Sequence, residues 1–200
     1  MNLAIAQIVP VTEAEGPGRR FALWFQGCPL RCPGCCNPEF LPFNGGHQIE
    51  VETIIEQIAI ANRDHSIEGI SLLGGEPFAQ SEGATVLATA ARAMNLGVMI
   101  YSGYTLAELK AMPDPAVAML LGNTDLLVDG PYLREQPEAN RRWIGSANQR
   151  VHFLSNRYDP ADPCWTKSNT LEIRVRGSEV TVNGFPAKAA TGLWKRVTSP

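Results

Sequence analysis

The chain has 200 residues and a formal charge of −3, from 17 basic and 20 acidic side chains. That length suits one domain and falls short of the ~250 residues of a complete eight-stranded α/β barrel. The acidic balance excludes a strongly basic nucleic-acid scaffold, and no apolar run reaches the ~18 residues of a membrane span.

The N-terminus, MNLAIAQIVPVTEAEG, has no positive leader region and no long apolar core, so a cytoplasmic protein is expected. Leu3–Val9 is short and apolar and predicts an edge strand, broken by turn chemistry at Glu15–Arg19. Phe21–Gln26 predicts a buried strand. Gly27 to Gly46 is rich in Cys, Pro and Gly and predicts no regular element. Apolar residues at Val51, Ile54, Ile55, Ile58 and Ala59 predict a helix over Val51–Asn62. Ile67–Leu73 predicts a strand ending in Gly74-Gly75. Ser81–Asn95 follows as an Ala-rich helix, with Ser81 as its candidate cap. Gly97–Tyr101 predicts a strand, Leu106–Met112 a short helix capped by Thr105, and Thr124–Val128 another strand ending in Asp129-Gly130. Strands alternating with helices predict βαβ units and a parallel sheet. Ligands of such sheets bind beyond the carboxyl ends of the strands. After Pro131 the chain turns polar, and Leu171–Arg176 with Glu179–Asn183 predicts a β-hairpin. Ala187–Pro200 carries no clear signal.

Four of the five cysteines fall within nine residues: Cys28, Cys32, Cys35 and Cys36. A disulfide framework would spread them along the chain, so the cluster points to metal or redox chemistry. The spacing of Cys28, Cys32 and Cys35 is C-x3-C-x2-C, and thiolates suit iron–sulfur clusters and zinc. Neighbouring side chains of an extended backbone point opposite ways, so Cys35 and Cys36 could hardly both face one small cluster. The expected result is three protein ligands and one open iron. A four-Cys structural zinc knot is the alternative. A thioredoxin-like pair at Cys32 and Cys35 is disfavoured, because that motif opens a helix and Pro38 and Pro42 stand in the way.

The stretch GPGRRFALWFQGCPLRCPGCCNPE resembles the cluster loop of radical S-adenosylmethionine enzymes. Within them it is similar to the activating enzymes of glycyl-radical enzymes, above all those of anaerobic ribonucleoside-triphosphate reductase. The motifs LLGGEPF, SGYTLAEL, DLLVDGPY and GSANQR extend the resemblance over about two-thirds of the chain, from Gly16 to Arg150. It implies that Cys28, Cys32 and Cys35 ligate a [4Fe–4S] cluster whose fourth iron chelates S-adenosylmethionine. One electron would then give methionine and a 5′-deoxyadenosyl radical, which takes hydrogen from a glycine of the partner enzyme. It further implies a flavodoxin- or ferredoxin-type electron donor, while the charge balance and the short apolar runs predict no nucleic-acid or membrane partner.

The same resemblance implies cofactor contacts from Gly34, Cys36, Gly74, Gly75, Glu76 and Pro77. Glu76 would offer its carboxylate to the cofactor's cationic amino group. Ser102, Gly103 and Tyr104 would line its ribose or methionine part, and Asp129 would point into the same cleft. Asn148 and Arg150 would close over the cofactor or position the glycine loop. Arg134, Arg141 and Arg142 read as surface or partner contacts, and Cys164 as an incidental thiol. The family usually has His where this chain has Cys36. The fold expected is an incomplete α/β barrel of five or six parallel strands over residues 1–155, with a C-terminal extension over 156–200 that carries the hairpin. A radical enzyme acting on a small molecule, of the 7-deazaguanine synthase kind, and a non-enzymatic zinc or cluster module are the competing readings.

Overall fold

The computed structural model describes residues 1–138, 140–177 and 179–185. The C-terminal stretch that carries no sequence signal lies outside them. Seven strands form one sheet: β1 (Asn2–Thr12), β2 (Arg20–Phe25), β3 (His47–Glu50), β4 (Gly69–Gly74), β5 (Gly97–Tyr101), β6 (Leu126–Asp129) and β7 (Arg150–Phe153). Their order is β3-β1-β2-β4-β5-β6-β7. The central run β2-β4-β5-β6 is parallel, and β1, β3 and β7 flank it through antiparallel pairings. The parallel run is thus four strands and not five or six. Leu3–Val9 belongs to β1, which is not an edge, because β3 pairs outside it. His47–Glu50 hides its strand character behind polar residues, so no apolar alternation announces it.

Helices α1 (Val51–His65), α2 (Ser81–Ala93), α3 (Leu106–Ala111) and α4 (Pro115–Gly122) provide the parallel crossovers. Residues of all four join one buried core with Leu3, Phe21, Leu23, Phe25, Ile70, Leu72, Val98, Ile100 and Leu127 of the strands. The period-2 alternation of a strand sends the neighbours of these residues to the opposite face. There Ala22, Trp24 and Leu73 form one cluster, and Met99, Leu126, Val128 and Trp143 another. That second face is covered by the segment after β6, through Trp143 and Trp165, rather than by a helix. The strands are therefore buried on both faces, as continuous apolar runs require.

The short elements show their causes locally. Thr105 and Glu108 close a capping box at α3, which satisfies backbone donors that would otherwise lack partners. Asp114 caps α4 by accepting from the Ala116 amide at 2.9 Å. Ser81 does not cap α2: it is the first helical residue, and its hydroxyl donates to Asp114. Strands β8 (Leu171–Arg176) and β9 (Glu179–Gly184) pair as the expected hairpin. Among the described residues, no helix is long and apolar enough to cross a membrane.

Candidate active site

One cleft opens beyond the carboxyl ends of β4, β5 and β6. Cys28, Cys32, Cys35 and Cys36 line one wall, Gly74, Gly75 and Glu76 the next, and Ser102, Gly103 and Gly130 a third. Residues scattered over a hundred positions meet there because parallel strands present all their carboxyl ends on one side.

Backbone hydrogen bonds seat the cysteine loop. The amides of Gly75 and Glu76 donate to the carbonyls of Phe25 and Gly27, at 2.8 and 2.9 Å. The amides of Gly27 and Cys28 donate in turn to Phe40 and Leu41. A Cβ on Gly75 would stand 2.3 Å from the Gly27 carbonyl oxygen. The close approach that glycine permits is therefore to the base of the cysteine loop.

Glu76 is buried and its carboxylate accepts three hydrogen bonds. Oε1 takes the Phe78 amide at 3.1 Å and the Ser102 hydroxyl at 3.0 Å, and Oε2 takes the Gly103 amide at 2.9 Å. Burial pushes its carboxyl up to about 7, against the pull of those three donors. One side chain thus ties the end of β4 to the end of β5.

The cysteine thiols fit a cationic group. Burial pushes Cys28 and Cys35 up, and the charges of the other thiolates push the same way. Backbone amides of Leu30 and Arg31 donate to Cys28, and that of Asn37 to Cys35. Amide donors aimed at sulfur stabilise thiolate, while mutual repulsion calls for positive charge between them. Among the described residues, no three His, Cys, Asp or Glu side chains converge on a point that would hold a single ion. A four-iron cluster asks for a different arrangement, with thiolates standing around a cube.

Residues 14–152 match the family model described as a 4Fe-4S single cluster domain. The anaerobic ribonucleoside-triphosphate reductase-activating protein of Vibrio cholerae serotype O1 is 35 % identical over 153 residues, which cover 73 % of this chain and 95 % of that protein. The protein of that name from Escherichia coli K12 is 32 % identical over 154 residues, covering 74 % and 97 %. That of Enterobacteria phage T4 is 27 % identical over 149 residues, covering 72 % and 90 %. The chain belongs to the anaerobic ribonucleoside-triphosphate reductase-activating protein family.

Not every residue singled out for this activating-protein family reaches the cleft. The Asp129 carboxylate accepts from the Leu106 amide at 2.6 Å, so it anchors α3, and it lies 2.9 Å from His152 Nε2 of β7. Gly130 takes its place in the cleft wall. Tyr104 packs on the helix-side core but borders the cleft, since burial and the charges of Glu76 and Cys28 push its hydroxyl up. Pro77 opens the 3-10 turn Pro77–Gln80. Gly34 packs against the Arg134 side chain. In GSANQR the cleft residues are Gly145 and Gln149, and not Asn148 or Arg150. Gln149 donates to the Gly130 carbonyl and accepts from the amides of Gly145 and Ser146. Asn148 donates to the Pro131 carbonyl, and Arg150 is exposed at the start of β7.

Cys36 shares the cleft with Cys35, where the Tyr132 hydroxyl is its hydrogen-bond partner. Burial and that thiol push Tyr132 up to about 12. Arg141 and Arg142 are not a free basic patch. Arg141 pairs with Glu138 and donates to the carbonyls of Gln149 and Ala147. Arg142 lies 4.2 Å over the Trp143 ring and donates to Thr170. Burial, with Asp162 alongside, pushes Cys164 up to about 11, so that thiol stays protonated at neutral pH. The sequence held a signal for Gln149 and Tyr132, since both lie inside quoted motifs. Their uncharged side chains drew less attention than the neighbouring arginine and aspartate.

Proposed function

We propose that this chain is a radical S-adenosylmethionine enzyme that installs a glycyl radical on an anaerobic ribonucleoside-triphosphate reductase. The observation that carries the reading is the meeting of Cys28, Cys32 and Cys35 with Gly74, Gly75 and Glu76 in one cleft. Cys28, Cys32 and Cys35 would hold a [4Fe–4S] cluster and leave one iron open to the cofactor. Held there and reduced, such a cluster would supply the single electron for cleaving a carbon–sulfur bond of S-adenosylmethionine to methionine and a 5′-deoxyadenosyl radical, which would take hydrogen from a glycine of the partner.

The protein's share is orientation and exclusion of water. Glu76 presents negative charge to the cofactor's ammonium while bracing Ser102 and Gly103. Gln149 holds the loop after β6 against Gly130. Leu30, Leu41, Leu73 and Tyr101 dry the walls. Cys36 serves the cofactor side of the cleft beside Tyr132. Residues 1–155 act as the incomplete barrel that houses this chemistry, in the cytoplasm and with a flavodoxin- or ferredoxin-type donor. An open-sided barrel admits a loop of a protein substrate.

Anaerobic reconstitution tests the cluster. About four irons and four sulfides per chain are expected. Cys28→Ala, Cys32→Ala or Cys35→Ala should lose most of that iron, while Cys36→Ala and Cys164→Ala should keep it. Stoichiometric zinc without iron uptake would sink the proposal.

A further inference from the structure

The C-terminal hairpin reaches into the cleft. It lies beyond residue 152, where the family match ends. Polar ties fasten it to the end of β1: Glu172 accepts from the Glu13 amide at 2.8 Å, and Asn183 donates to Thr12 at 2.9 Å. Gly184 then turns the chain with φ +103°, and a Cβ there would stand 2.2 Å from the Thr170 carbonyl oxygen. The turn delivers Phe185 to the cleft, where its ring stacks on Tyr101 with centroids 6.4 Å apart and planes 29° from parallel.

From this placement we infer that Phe185 is a specificity-determining wall for the glycine-bearing segment of the protein substrate. The inference rests on the proposed radical chemistry and deepens it. Two observations favour substrate over cofactor. The groups that suit a charged, polar cofactor, namely the cysteines, Glu76, Ser102 and Gly103, all lie within the family match. The curated relatives are covered over 95 % and 97 % of their length by about three-quarters of this chain. Chemistry common to the family therefore needs no hairpin, and what the hairpin adds bears on what differs between relatives. An aromatic side chain stacked in a pocket is the kind of contact that dominates protein recognition.

The test uses the full chain with its reconstituted cluster, S-adenosylmethionine and a purified anaerobic ribonucleoside-triphosphate reductase. Phe185→Ala is compared with Phe185→Leu, which keeps apolar volume, and Phe185→Tyr, which keeps the ring. Iron content and release of 5′-deoxyadenosine without reductase should stay within about twofold of wild type. The reductase concentration that half-saturates glycyl-radical formation, followed by electron paramagnetic resonance, should rise roughly tenfold in Phe185→Ala. Phe185→Tyr should restore it, and Phe185→Leu should fall between. Unchanged half-saturation makes Phe185 a bystander and overturns the inference. Faster radical formation in Phe185→Ala makes it a plug, and weaker S-adenosylmethionine binding makes it a cofactor wall; either result also overturns it. A wild-type enzyme that releases no 5′-deoxyadenosine discards the radical chemistry itself, whatever the variants do.

Discussion

Glu76 lies buried in the cleft wall, where its carboxyl is pushed up to about 7. Glu76 owes this to burial, which outweighs its three hydrogen-bond donors. Its role toward a cationic ammonium requires the ionised form, which predominates above about pH 7. Affinity for S-adenosylmethionine should therefore rise with pH across that value, measured by equilibrium binding to the reconstituted protein. Glu76→Gln should flatten the profile and bind more weakly at high pH. Its amide nitrogen would face either the Gly103 amide or the donors from Phe78 and Ser102, and a donor opposing a donor costs ~1–3 kcal/mol. A profile with the same slope in both proteins would show that Glu76 serves only to brace β5.

At the scale of elements, the hairpin β8–β9 hangs on another buried carboxyl. Glu15 accepts from the Gly184 amide and the Asn183 side chain, and burial pushes it up to about 8. Glu172 adds to that rise through its negative charge, while Arg20 and Tyr101 lie close by. The folded group binds its proton more tightly than the unfolded one, whose ordinary value is 4.5. Its contribution to stability is therefore whole below that value and is lost as pH rises to about 8. Melting temperature should fall over this window in wild type. In Glu15→Gln this component of the slope should disappear, because an amide oxygen accepts the same two bonds at every pH. An unaltered slope in the variant would assign the loss to other groups. The sequence announced the hairpin through its alternation, yet no local signal showed where it docks.

For the whole molecule, the two faces of the sheet are held by different means. Helices α1, α2 and α4 seal one face with a continuous apolar core. Aromatic contacts of Trp143, Trp165 and Phe153 seal the other. The hairpin attaches mainly through polar ties and leaves Ile173, Val175 and Val180 exposed. Regions with few buried apolar contacts open at lower free energy than core strands. Amide hydrogen exchange should accordingly protect β2, β4, β5 and β6 most. It should release β8 and β9 well before them, in a separate step. Exchange of the hairpin at the rate of the central strands would show that it folds as part of the sheet.

The sequence by itself determined the alternating architecture, the strand Gly97–Tyr101, the cap at Thr105 and the resemblance that points to a cysteine-held cluster. These are local: periodicity, capping chemistry and ligand spacing are all written within a few residues. The tertiary structure alone decided that β1 lies inside the sheet, because the polar strand β3 is recognisable only by what it pairs with. It also decided which strand-end residues face the cleft. Gln149 and Gly130 line it while Asp129 and Arg150 do not, since orientation at a strand end depends on the partner that claims each side chain. Arg141 and Arg142 read as surface or partner contacts in one dimension and make internal ties in three. Phe185 could not be assigned to the site from sequence at all, because only the docking of the hairpin on β1 carries it across to Tyr101.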